Sequence, residues 1–470
     1  MAQTEKKKIL KAGAVYTFAN ILLRGISFLT LPVFIRLLSP DEFGRFNVFI
    51  SFESIIFMFS GFTLHASIKN AYYDYSSEDY DTYIKNIFYV DFLNSIIIGI
   101  IANIAVFFWK DLIDLDYVEV NLLTIAGLCT AITSVYGSKL IMEYKAGDYA
   151  LMSFISTIAG ISLSIFFIFT IFNFNHYFGR ILGFVAGETV AAFYVLIRVF
   201  ANGFKPINIE QWKYGLKISL PIIPHGLSQI ILSSANRIMI KYFYNAVQAG
   251  IFSFTYTVSM LPQVLFQSVT SVWEPWFFER MSENNIDQIR SKSNYFCLFI
   301  SSVYVMIACV TPELIKILAT KEYYEAIDIS IIVLLGCYFA TLYNIPCEVE
   351  YYYKKTKHIA TSTFICALVN VGLNFLLMQY YSYKVAAYVT LFAYFLYFLF
   401  HMYMSYQIRK DWIFDIKTMS FTIISSMIIM FILLLLINYF ILRFIILLII
   451  FVTIMSKCKF VIQTIKEIKR

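Results

Sequence analysis

Arg24 stands in the middle of N20-ILLRGISFLTLPVFIRLL-38, an otherwise apolar run with Lys11 thirteen residues before it and Arg36 twelve after. At 1.5 Å of rise per residue the guanidinium lies about 18 Å from either end of such a helix, too far to reach the interface. An arginine at the centre of a bilayer costs about 2.5–3.5 kcal/mol, so it marks an interior or water-filled face. Thr17, Asn20, Arg24 and Ser27 recur at helical spacing and share that face. A second stripe, His225, Gln229, Ser233 and Asn236, ends beside Arg237. Both stripes suit either a polar cavity or hydrogen bonding between helices. Arg24 carries five donors and calls for an anion, whereas Arg237 is one turn from Lys241 and could equally snorkel outward. Glu53 and Glu188 are the mid-membrane carboxylates. Glu188 could neutralise Arg24, or either acid could take up a coupling proton. His65 and Lys69, four residues apart, face the inner mouth, where they meet an anionic head group or supply inside positive charge. Tyr394, Tyr397 and His401 form a further stripe, as do Asn370 and Asn374.

The elements that hold these groups follow from composition. The 470 residues are 60% hydrophobic and 14% charged, well below the ~25% charge of a soluble chain. The protein is therefore an all-α, polytopic membrane protein. Fourteen spans are expected, at 12–34, 46–66, 87–109, 118–138, 151–172, 180–199, 217–241, 248–268, 294–311, 326–347, 359–379, 384–405, 418–438 and 441–456. With residues at the span ends counted to the adjoining side, 26 of the 37 Lys and Arg fall on the terminal side, nine on the opposite side, and Arg24 and Arg237 remain inside spans. The positive-inside rule then puts both termini in the cytoplasm, and the +7 net charge requires no nucleic-acid partner. Seven scattered cysteines include no C-x-x-C pair, so neither a disulfide framework nor a zinc site is supported.

FIRLLSPDEFGRFNVF (34–49) is echoed by MIKYFYNAVQAGIFSF (239–254), with Gly44 aligned to Gly250. This offset of 206 residues implies two pseudo-symmetric six-helix bundles: residues 1–200 and 217–406, joined by a linker at 201–216. Residues 407–470 supply helices 13 and 14 and an amphipathic tail. KPINIEQWKYGLK (205–217) reads as interfacial, and Pro221 and Pro224 should kink the seventh helix. There is no phosphate-binding G-x-x-x-x-G-K-[ST] loop, no H-E-x-x-H and no serine elbow. Neither a built-in ATPase nor a cofactor is expected, and transport must draw on a gradient, membrane potential or mass action.

The run R-x-x-x-x-x-x-L-P-x-x-x-R-L-L-S-P-D-E-F-G-R-F (Arg24 to Phe46) and SANRIMIKYFYNAVQAGIFSF (234–254) resemble the polysaccharide biosynthesis transporters, the O-antigen and capsule flippases. Their superfamily also contains multidrug and toxin extruders and the lipid II flippase. The resemblance implies two bundles splayed in a V about a central cavity. It implies a flippase in the bacterial plasma membrane that carries an oligosaccharide on undecaprenyl pyrophosphate to the outer leaflet by alternating access. Arg24 and Arg237 would then grip the diphosphate, with Asn20, Ser27, His65, Lys69, His225, Gln229 and Asn236 lining the path. Many relatives carry an acidic residue where this chain has Asn236, so Glu53 or Glu188 would have to serve for proton coupling. The resemblance further implies no enzyme activity and a monomer working beside the polymerase and glycosyltransferases of its pathway. A multidrug antiporter of the same fold is one alternative. A membrane glycosyltransferase using Asp41 and Glu42 is another.

Overall fold

A computed structural model describes residues 25–452 together with Val15, Ala19, Leu22 and Leu23, with the side chains at 109–113, 265, 267–268 and 271–272 outside the description. Among the described residues eleven helices are long and apolar enough to cross a membrane. The chain is thus a multi-pass, all-helical membrane protein. Three of the fourteen expected spans are not among the eleven. The first is described only as the helix Gly25–Leu37 (α1), and the last as Phe440–Val452 (α18). The span expected at 248–268 is interrupted: Ala246–Ser259 (α10) stops at Met260, and Leu261–Ser282 (α11) begins with Pro262 in its first turn. Pro262 has no amide hydrogen to continue the ladder of α10.

Contacts divide the chain into two compact units, Met1–Tyr242 and Phe243–Arg470. The first contains Pro40–Ser60 (α2), Ile68–Asp74 (α3), Ser77–Ile113 (α4), Tyr117–Met142 (α5), Ala146–Thr170 (α6) and His176–Phe200 (α7). Ile209–Ser219 (α8) and Ile223–Phe243 (α9) follow. The sequence S-P-D-E sets the start of α2. Ser39 Oγ accepts from the Glu42 amide at 3.3 Å, Glu42 Oε2 accepts from the Ser39 amide at 3.0 Å, and Pro40 fills the first helical position. This reciprocal cap satisfies two otherwise orphaned donors.

Small residues set the tightest packing of this unit. Gly179, Gly183 and Gly187 form one face of α7, opposite Ser156, Gly160 and Ser164 on α6. A Cβ at Gly183 would lie 2.2 Å from the Ser164 backbone nitrogen, and one at Gly187 2.4 Å from Gly160 Cα. In lipid, where burying apolar surface gives helices little reason to associate, such a seam holds them by close backbone packing.

The expected linker is bound along its length to α4. Lys85 Nζ donates to Gly203 O at 2.6 Å, Asn86 Nδ2 to Pro206 O at 3.3 Å, and Tyr89 OH to Lys205 O at 3.0 Å. Asn86 Oδ1 accepts from the Asn208 amide at 2.7 Å. Gly215 brings α8 so near Tyr83, Ile87 and Leu64 that a Cβ there would meet all three side chains. The bend expected at the prolines takes the form of a 3-10 turn, Leu220–Ile222, between α8 and α9.

In the second unit α10 and α11 are followed by Ile286–Leu318 (α12), Ala326–Leu342 (α13), Asn344–Tyr352 (α14), Thr356–Leu377 (α15), Val385–Arg409 (α16), Ile416–Leu435 (α17) and α18. Helix α13 is its core, buried at every position from Ile329 to Leu342 and enclosed by α10, α12, α16 and α17. Arg443 of α18 reaches α12, donating to both Glu313 oxygens and, at 2.6 Å, to Cys309 O.

Candidate functional site

Hydroxyls of α5 and α6 and the carboxylate of Glu188 on α7 face one another. A cavity of about 440 Å3 opens there, lined by Thr130, Thr133, Ser134 and Ser138 from α5, Ser153, Ser156 and Thr157 from α6, Glu188 from α7, and His65. The α5 residues stand at i, i+3, i+4 and i+8, one helical stripe of hydroxyls. Glu188 Oε1 accepts from Ser156 Oγ at 2.6 Å. This bond depends on the glycine seam, because Gly187 and Gly160 let the two backbones approach beside it.

Glu53 of α2, only 7% exposed, accepts from Thr130 Oγ1 at 2.9 Å. Thr130 also lines the cavity, so Glu53 sits directly behind its wall. The result is two membrane-buried acids, each hydrogen-bonded by one hydroxyl, beside a polar chamber.

The structure thus brings together three of the residues picked out in the sequence: Glu53, Glu188 and His65, whose ring stacks on Phe57 at 6.0 Å. Lys69 is exposed and does not line the cavity. Ser27 is also exposed, its hydroxyl donating to Leu23 O at 3.0 Å. His225, Gln229 and Arg237 are half-buried on α9 and Asn236 is fully buried there; Gly226 of the same helix packs on Met58 of α2. Arg24 and Asn20 lie outside the described residues. The hydroxyls of α5 and α6 and the seam of small residues were not picked out, although their helical spacing is plain in the chain.

Asp41 and Glu42 have structural partners. Asp41 pairs with Arg45 at 2.8 Å, and Glu42 both caps α2 and accepts from the Tyr177 amide at 3.3 Å. Arg180, one turn into α7, is sandwiched between the rings of Phe34 and Phe46, 3.9 and 4.4 Å from their centroids, and donates to Ser164 Oγ at 2.7 Å.

The bilayer-length apolar helices define a multi-pass membrane fold, and solved transporters share it. The chain superposes on the lipid II flippase MurJ in an inward closed conformation with a TM-score of 0.76, covering 95% of this chain and all of the other at 16% identity. An inward-facing multidrug resistance MATE family transporter of the MOP superfamily gives 0.63 over 84% of this chain and 99% of the other, at 14% identity. The sequence profile described as polysaccharide biosynthesis protein matches residues 9–281, and the chain belongs to that family. Among curated relatives, a protein of the Lsg locus of Haemophilus influenzae is 23% identical over 402 residues, covering 80% of this chain and 94% of the relative. The capsular polysaccharide biosynthesis protein CapF of Staphylococcus aureus is 24% identical over 339 residues, 68% of this chain and 80% of the relative.

Proposed function

We propose that the protein is a flippase that moves an oligosaccharide linked to undecaprenyl pyrophosphate from the cytoplasmic to the outer leaflet by alternating access. The observation that carries this reading is an open, hydroxyl-lined cavity in a membrane-spanning unit, in a chain of the polysaccharide biosynthesis family with the fold of a lipid II flippase. A polar glycan needs a route of this kind, because the bilayer core offers its hydroxyls no partners. Arg24 and Arg237 would hold the diphosphate through charge-assisted hydrogen bonds, while Glu53 and Glu188 would bind the coupling ion. The two repeat halves, 1–200 and 217–406, would alternate about the cargo, with both termini cytoplasmic and the pathway's polymerase and glycosyltransferases as neighbours.

Asp41 and Glu42 do not favour the glycosyltransferase reading, since ion pairing and helix capping already occupy them. The acids of the chamber do suit a cationic cargo, and this keeps a drug antiporter as the second reading. Complementation of a strain lacking the gene separates the two. Arg24→Ala should abolish surface polysaccharide at normal protein abundance, and Arg24→Lys should restore part of it. Unchanged polysaccharide in Arg24→Ala would refute the anion site; drug resistance conferred by the wild type without glycan export would establish the antiporter.

A further inference from the structure

The second unit buries an acid–base pair that the flippase reading leaves unused. Glu350 of α14 and His401 of α16 are both fully buried, with Glu350 Oε1 2.5 Å from His401 Nδ1. The other ring nitrogen, Nε2, lies 3.3 Å from Ser362 Oγ of α15. Ser362 Oγ also lies 2.8 Å from Ile359 O, so its one hydrogen goes to that carbonyl or to Nε2, as the ring tautomer requires. The contact between Nδ1 and Glu350 Oε1 needs a proton on one of the two atoms. With a second proton on the pair, at Nε2, it is neutral overall.

We propose that Glu350 and His401 form a single-proton binding site that clasps α14 to α15 and α16, and that losing this proton loosens the three helices. Without that second proton the ring can still donate from Nδ1, but an uncompensated negative charge would remain where no solvent reaches. Among the described residues, Glu350 Oε2 has no hydrogen-bond partner to spread that charge. Relief requires α14 to move off α16 or water to enter between them. Among the described residues, the ion-pair partner of Glu350 is His401. Tyr343 stacks on the imidazole at 5.5 Å and Tyr397 meets it edge-on at 4.5 Å, with Thr363 bonded to Tyr397 at 3.0 Å. The other titratable groups nearby are Cys347, Glu348 and Tyr351 on α14, and Glu274 on α11, whose charge reaches Glu348 and Tyr351. Lys354 and Lys355 lie in the exposed turn beyond α14, and Lys357 is exposed at the start of α15. The ligand is a proton alone, and its occupancy is tied to how three helices pack.

The test is hydrogen–deuterium exchange on the full-length protein in lipid nanodiscs, without cargo, over a rising pH series corrected for intrinsic exchange. Residues 344–366 and 394–405 of the wild type should lose protection in one step, while α13 and α17 stay protected. Glu350→Gln offers an amide N–H to Nδ1 and has no proton to lose, so its protection should not depend on pH. His401→Gln is read in the same way should the first variant fail to fold. A wild type with no step, or a Glu350→Gln variant that keeps it, overturns the proposal. Since no glycan is present, either result leaves the flippase reading to stand or fall on Arg24.

Discussion

Replacing Gly183 by Ala puts the small-residue seam of the first unit to a direct test. The new Cβ would lie 2.2 Å from the Ser164 amide nitrogen, where ordinary contact begins at 3.4 Å, so α6 and α7 must part by about 1.2 Å. The atom it meets is backbone, which cannot rotate away as a side chain would. Ser156 Oγ and Glu188 Oε1, now 2.6 Å apart, would then stand at up to about 3.8 Å, beyond hydrogen-bond range. Overpacking of this kind costs about 1–3 kcal/mol, and in a body of this size each kcal/mol lowers the melting temperature by about 2–4 °C. The assay is thermal unfolding in detergent beside surface-polysaccharide output, with Ser156→Ala as the control that removes the hydrogen bond and leaves the helices in contact. Gly183→Ala should lower both stability and export, and Ser156→Ala should lower export with a smaller loss of stability. An unchanged melting temperature in Gly183→Ala would refute the close packing on which the placement of Glu188 depends.

Glu42→Ala removes the reciprocal cap of α2 and should cost about 1 kcal/mol, seen as a lower melting temperature. Asp41→Asn combined with Glu42→Gln should leave glycan export intact; loss of product without build-up of inner-leaflet lipid-linked sugar would contradict this. Arg443→Ala strands Glu313 and should destabilise by about 1–3 kcal/mol, below the 3–5 kcal/mol of a sealed pair, because Glu313 remains 29% exposed; the double variant with Glu313→Ala should recover part of the loss. Hydrogen bonds from Thr418 and Asn294 hold the Asp415 carboxyl below the ordinary carboxylate range. Its cap on α17 should therefore persist above the ordinary value of about 3.9 and weaken only as pH falls through the lower folded value. Exchange of the first-turn amides of α17 on acidification measures this.

Most of the fold was legible because bilayer-length apolar runs leave few alternatives: eleven of the fourteen expected spans recur as long apolar helices. The break at Met260 was not foreseen, because hydropathy averages over a proline that the hydrogen-bond ladder cannot ignore. At the site, charge within an apolar run pointed to Glu53 and Glu188, since lipid makes such residues conspicuous. Thr130 and Ser156, which hold those carboxylates, were overlooked because hydroxyls are common in membrane helices and only their partners across the helix interface set them apart. Glu350 was missed for another reason: EYYYKKTKH reads as a loop, yet α14 continues to Tyr352 and carries Glu350 into the interior against His401.

The enclosure of α13 has a consequence for how the second unit is made. A helix apolar all round can enter the bilayer alone, yet in the finished unit its surface from Ile329 to Leu342 meets other helices in place of lipid chains. Assembly must therefore include a step in which lipid is squeezed from around α13 as α10, α12, α16 and α17 close upon it. Two of those partners, α16 and α17, lie C-terminal to it and are synthesised later. Until they follow, α13 lacks two of the four helices that cover it.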